Sequence, residues 1–260
     1  MPIKKTRNLI NRIIKKEGSI KYLPSTRRES MPSAAKILNQ ALKYTKTKNV
    51  FISGTSVRDG VVIDGLNNSF YNEDPLIVTC KQIARGTERF RGLSKSLLNL
   101  LDPLLDHLVD KEIERLLKSI CLLSDICWDE HPSSRAKLAA ERVLFLPINS
   151  LTHKERAWLA LALYYRYARQ FEIQKFPYNF SSVLTEKEKK SSIIIGLALK
   201  FAMTFCAGIP KLLSNVQFMI TKNTLIVEFK NSSNELFAEH LHNRLENLSI
   251  VLDKKLDVRL

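Results

Sequence analysis

Between residues 74 and 169, apolar positions recur at three- and four-residue intervals, as in Leu97, Leu98, Leu101, Leu104, Leu105 and Leu108, and again in Trp158, Leu161 and Tyr165. That spacing lays an apolar stripe along a helix, so this stretch reads as a helical domain. Thr152 and Glu155 stand at capping-box spacing and start a helix over 157–167, while Pro132 marks a break between helices. After Pro177 the pattern predicts one more helix over 186–206 and then changes period. Val216, Phe218 and Ile220 alternate with Gln217 and Met219, and Leu225, Val227 and Phe229 with Ile226 and Glu228, two strands joined by a turn at 221–223. A last amphipathic helix carries Leu236, Phe237, Leu241, Leu245 and Leu248.

Ahead of residue 74 the pattern is less regular: a basic opening segment, a helix over 32–44, a short apolar strand at 50–52 and a helix from Ser56, together a β/α fragment. No internal repeat or low-complexity linker marks a boundary, so the divisions follow the changes of period, at 1–72, 73–172 and 173–260. The fold class is mostly α with α+β parts, ending in a small α+β unit.

Composition sharpens this only in part. With 260 residues, 45% apolar and 26% charged, the chain is an ordinary globular sequence and not a disordered, collagen-like or disulfide-held one. Lys plus Arg is 41 against 26 for Asp plus Glu, a net of +15. Such a surface attracts polyanions, whether nucleic acid, anionic membrane or a phosphate polymer, and a Lys- and Asn-rich compositional bias gives the same number. Cys80, Cys121, Cys127 and Cys206 form no paired spacing for zinc and read as reduced and mostly buried. Asn11 and Arg12 interrupt the apolar run at 9–14, and Gly196 and Lys200 that at 193–205, so neither a leader nor a membrane span is expected, and the compartment is the cytoplasm.

Three places could carry chemistry. SGTSVRDG at 53–60 could cradle a phosphate on backbone N–H groups at a helix start, or Ser56 and Asp59 could simply cap that helix; it has no Walker lysine, and no Gly-Gly or G-x-G occurs anywhere in the chain. Ser124 to His131 resembles the His-Asp neighbourhood of metal-dependent phosphohydrolases, with Asp125, Asp129, His131 and His107 as convergent groups, yet Ser124 stands where the histidine belongs, so no metal site is expected. The opening segment offers Lys4, Lys5, Arg7, Arg12, Lys15, Lys16, Lys21, Arg27 and Arg28, either a polyanion grip or a solvated helix face. No nucleophile triad can be assembled from the five histidines, and Trp128, Trp158, Tyr164 and Tyr165 read as core rather than as a stacking platform.

Taken in order, YLPSTRRESMPSAAKIL at 22–38, SGTSVRDG at 53–60, LLKSICLLSDICWDEHPSSR at 116–135 and LTHKERAWLALALYYR at 151–166 resemble the later part of the exopolyphosphatase and guanosine pentaphosphate phosphohydrolase (Ppx/GppA) family. SGTSVRDG is similar to its Ser-x-x-Gly-Val-Arg-Glu-Gly element, with Ser56 for Gly and Asp59 for Glu. The resemblance implies the tail of an actin-like ATPase-type lobe over 1–72, an HD-like helical domain over 73–172 and an α+β domain over 173–260. It implies Mg²⁺-dependent removal of terminal phosphate from polyphosphate. The family's Asp-x-Gly loop, acidic catalytic residue and second Gly-rich loop have no counterpart here. The expectation is therefore a C-terminal portion, truncated or separately encoded, with no catalytic residue and no metal of its own. It would bind polyphosphate or another polyanion through Lys4, Lys5, Lys15, Lys16, Arg27, Arg28 and Arg58, with Asp125 and His131 as relics of a degenerate metal position. An N-terminal catalytic lobe or a second copy would be its protein partner; the alternative is a basic nucleic-acid-binding or interaction protein.

Overall fold

The structure, a computed structural model, describes all residues except 17–23, 53, 55, 66–72, 109, 110, 147, 149, 170–178 and 231–237. It divides into two compact units, Met1–Gly60 and Val61–Leu260.

In the first unit, α1 (Ile3–Ile14) buries Thr6 and Ile10, four residues apart, while Lys4, Lys5 and Arg7 stay exposed. A single turn, α2 (Ser25–Arg28), precedes α3 (Met31–Tyr44), whose Pro32 sits in the first turn, where its missing N–H is not needed. Ile10, Ala35 and Leu42 form the core, with Ile3, Ile13, Ile14 and Val50 packed against it. The first residues lie beside the segment that follows α3. Pro2 bridges Asn49, the Ile3 N–H donates to the Lys48 carbonyl at 3.0 Å, and the Val50 N–H to the Met1 carbonyl at 2.9 Å. No strand forms at 50–52; the bridge falls one residue earlier, at Asn49, and Phe51 is 91% exposed. A strand needs a neighbour along its length, and Met1 and Pro2 are too short a partner. The next helix, α4 (Val57–Asp64), begins after Ser56 as the sequence predicts.

The second unit is a helical body with a small sheet. Asp74 accepts the Leu76 N–H at 2.8 Å and caps α5 (Pro75–Thr87); α6 (Leu93–Leu108), α7 (Lys111–Leu122) and α8 (Arg135–Phe145) follow. The capping box at Thr152 and Glu155 opens α9 (His153–Tyr167), and a second one, Thr185 with Glu188, opens α10 (Glu186–Cys206). α10 is buried on most of its surface from Ser191 onward. It crosses α9 so closely that a Cβ at Gly196 would lie 2.4 Å from the Ala162 carbonyl oxygen. Glycine is the one residue that allows this approach.

After α10 come β1 (Val216–Ile220) and β2 (Thr224–Phe229), the two predicted strands, paired antiparallel with Phe218 opposite Val227. Phe201 and Phe205 of α10 meet Phe218 and Phe229 of the sheet, with ring centroids 5.4–6.4 Å apart. The chain then crosses through α11 (Glu239–Leu252), which buries Leu241, Leu245 and Leu248, to β3 (Lys255–Arg259), parallel to β2. Leu236 and Phe237 lie outside the described residues. β3 is an element the sequence reading missed, although Leu256 and Val258 carry its period. Mostly helical with a three-stranded sheet at one end, the architecture is α+β. Among the described residues no helix is long and apolar enough to cross a membrane. All four cysteines are free and buried, and burial pushes the Cys80 thiol up to about 12.

Candidate functional site

The basic residues singled out from the sequence are exposed. Lys4 and Lys5 lie in α1, Lys15 and Lys16 at its end, Arg27 and Arg28 in α2 and Arg58 in α4. They are distributed over Met1–Gly60, and none of them lines the cleft described below. Lys21, Ser53 and Thr55 fall outside the described residues. At Ser56 the choice between cradle and cap is decided by hydrogen bonds. The Ser56 N–H and hydroxyl both donate to the Asp59 carboxylate, at 2.6 and 2.8 Å, and hold its carboxyl below the usual range. Asp59 occupies both Ser56 donors.

Residues 124–131 form turns between α7 and α8 and send their polar groups apart. Asp129 and His131 are exposed, His131 sharing a 2.7 Å hydrogen bond with Ser133. Asp125 turns inward, its side chain 1% exposed. The Arg89 Nε and Nη2 groups donate to its two carboxylate oxygens at 3.2 and 3.0 Å, and Arg166 of α9 reaches it at 3.8 Å. The Arg89 guanidinium also lies over the Trp128 ring, 5.2 Å from its centroid. Where a metal enzyme would place a ligand, this chain has a carboxylate that neutralises two arginines, because a buried charge needs a partner.

Arg166 leads to the site that sequence reasoning did not find. Its other neighbours are cations: Arg135 of α8, Arg169 just past α9, Lys200 of α10 and Arg244 of α11 line the same cleft, of about 280 Å³, with Pro132, Tyr167, Ala168 and Thr204. Among the described residues no lining residue is acidic. Backbone carbonyls fix several of these groups: the Lys200 ammonium donates to the Ala168 carbonyl at 2.5 Å, Arg244 to that of Lys200 at 3.0 Å and Arg135 to that of Glu130 at 2.6 Å. Arg166 stacks on Tyr167, 4.2 Å from the ring centroid, and its buried Nε has no hydrogen-bond partner. Burial, then Arg244 and Arg166, bring Lys200 down to about 8. Five cations in one concavity, four of them held by contacts to carbonyls, a carboxylate or a ring, favour an anion there, since the walls focus their fields and partly exclude water. Its one sequence signal was Lys200, a lone charge in the most apolar stretch of the chain.

The family profile described as exopolyphosphatase, C-terminal, matches residues 107–258. The chain belongs to this family. Every residue lining the cleft lies within the matched exopolyphosphatase C-terminal segment, and so do Asp125, α9, α10 and the whole sheet. Comparison with curated proteins gives no match. The family resemblance brings Mg²⁺ with it, and the residues here do not fit such an ion. Magnesium takes oxygen ligands, the cleft presents guanidinium and ammonium groups, and among the described residues no three His, Cys, Asp or Glu side chains gather to hold a metal.

Proposed function

We propose that the chain is the polymer-holding portion of an exopolyphosphatase, one that grips inorganic polyphosphate and does not itself cut it. The convergence of Arg135, Arg166, Arg169, Lys200 and Arg244 on one cleft, with no acidic lining residue among those described, carries this reading. A polyphosphate bears a charge on every unit, so a cationic cleft binds it with release of its counterions; the exposed cations of Met1–Gly60, Lys4, Lys5, Lys15, Lys16, Arg27, Arg28 and Arg58, are by themselves a second, screened attraction for a polyanion. Hydrolysis needs a base and a positioned water besides cations, and Asp125 is engaged by two arginines. In this reading the cutting groups and Mg²⁺ belong to an N-terminal catalytic lobe. That lobe, or a second copy of the chain, covers exposed apolar residues of the first unit such as Tyr44 and Phe51, which are 90% and 91% exposed. The tail of an actin-like lobe over 1–72, an HD-like assignment of 73–172 and a cytoplasmic location belong to the same reading.

Titration of the chain with long-chain polyphosphate at several salt concentrations tests it. Binding should weaken with salt, and Arg166→Gln with Arg244→Gln should cost at least about tenfold, since each removes a charge-assisted contact. Unchanged affinity in that pair sinks the role of the cleft; rapid phosphate release by the chain alone with Mg²⁺ sinks the holding-only role. The basic first unit favours a second reading, in which the chain binds nucleic acid. RNA that displaces polyphosphate at equal charge concentration would establish it instead.

A further inference from the structure

Lys200 differs from the other cations of the cleft in being the one whose charge can be lost in an ordinary pH range. It projects from α10, the most buried helix of the second unit, and donates to the Ala168 carbonyl at the end of α9. The groups lining the cleft beside it are the Arg166 guanidinium and Tyr167 phenol of α9, Arg169 beyond that helix, Arg135 of α8 and Arg244 of α11, while its own helix adds only the Thr204 hydroxyl. Among the described residues no carboxylate lines the cleft, and Asp125, which Arg166 reaches at 3.8 Å, is shared with Arg89.

We propose that the cleft is a proton-linked anion site, in which Lys200 takes up a proton as a phosphate chain enters and releases it as the chain leaves. This rests on the polyphosphate reading of the cleft and adds its regulation. Without an anion, burial and the Arg244 and Arg166 guanidinium groups hold Lys200 at about 8. A phosphate oxygen beside the ammonium gives its buried charge a counter-charge, which offsets the desolvation first and the guanidinium repulsion second, and moves it back toward the ordinary lysine value of about 10.4. Binding and protonation then favour each other by the same factor, as linkage requires. The sign follows from this. Below about pH 7 Lys200 is charged with or without ligand and affinity is flat; as pH rises through 8 the free cleft loses the proton that the filled cleft keeps, and affinity falls. Arginine cannot follow this cycle, because it stays protonated throughout.

The experiment is calorimetric titration of the full chain with long-chain polyphosphate at pH 7, 8 and 9, at constant ionic strength, in two buffers of different ionisation enthalpy. The interior phosphoryl groups of the polymer stay ionised over this range, so the probe does not titrate. The expected result is affinity about tenfold weaker at pH 9 than at pH 7, with uptake of close to one proton per site at pH 9 and little at pH 7. Lys200→Arg should bind with a flat profile and without this uptake, and Lys200→Met with a flat profile at the weak level, so either variant that folds gives the readout. A wild-type profile that is flat, or one that Lys200→Arg shares, overturns the proton link. If Arg244→Gln still weakens binding in that case, the polyphosphate reading survives; if polyphosphate binds at no pH, or Arg244→Gln changes nothing, that reading falls and the link with it.

Discussion

Met1–Gly60 holds 14 basic and 3 acidic residues, a net of +11, whereas Val61–Leu260 holds 27 and 23, a net of +4. The concentrated cationic site is nevertheless in the nearly balanced unit. In the first unit the charges stand on exposed helix faces, where salt screens them beyond about 8 Å. In the second, four helices and their flanks aim five of them into one cleft and partly remove water from it. Arrangement and desolvation, more than the sum of charges, make an anion site.

The cores differ in the same direction, and the largest effects should come from them. Phe201 is fully buried against Phe205, Phe218 and Phe229, so Phe201→Ala should cost about 3–5 kcal/mol in the second unit. Hydrogen exchange should show that loss in α9, α10 and the sheet while α1 and α3 keep their protection; equal loss in both units would erase the distinction between them. Removing the Asp125 carboxylate leaves two arginines uncompensated. Arg89 is a third exposed, so the expected cost of Asp125→Ala is about 3 kcal/mol, at the lower end for a broken buried pair, read by denaturant unfolding.

Binding separates the units more finely. Arg244→Gln in the cleft should weaken polyphosphate binding about tenfold, roughly 1.4 kcal/mol, whereas Lys4→Gln or Lys5→Gln should chiefly lower the slope of log affinity against log salt by about 1 each. The reverse order would place the principal grip on the first unit. The smallest effect is at a helix start. Thr185→Ala should cost about 1 kcal/mol near neutral pH. The Thr185 N–H, which alanine keeps, and the hydroxyl, which it loses, hold the Glu188 carboxyl below its ordinary 4.5. The share of the loss that comes from the hydroxyl–carboxylate bond is therefore present above this value and fades as pH falls through the lower folded value. Thermal unfolding at pH 7 and pH 3 should show the mutant and the wild type drawing together.

Much of the second unit was legible because its signals are local. Thr152 with Glu155 starts α9, and the alternation of Val216, Phe218, Leu225 and Val227 marks both strands. β3 escaped notice because five residues with two half-buried apolar side chains, Leu256 and Val258, give a faint period, and its partner β2 lies across a helix. The strand expected at 50–52 misled for the opposite reason: its apolar run is clear, but pairing depends on what lies alongside.

The sequence by itself determined the helices with their caps, the period of the hairpin and the basic balance of the chain, because those depend on neighbours within a few residues. Only the tertiary structure decided where charge matters. Arg135, Arg166, Arg169, Lys200 and Arg244 are scattered over more than a hundred positions, and nothing in their spacing joins them. Packing α8, α9, α10 and α11 around a shared core brings them into reach, since the energy of burying apolar faces fixes the helices in place whatever cations they carry.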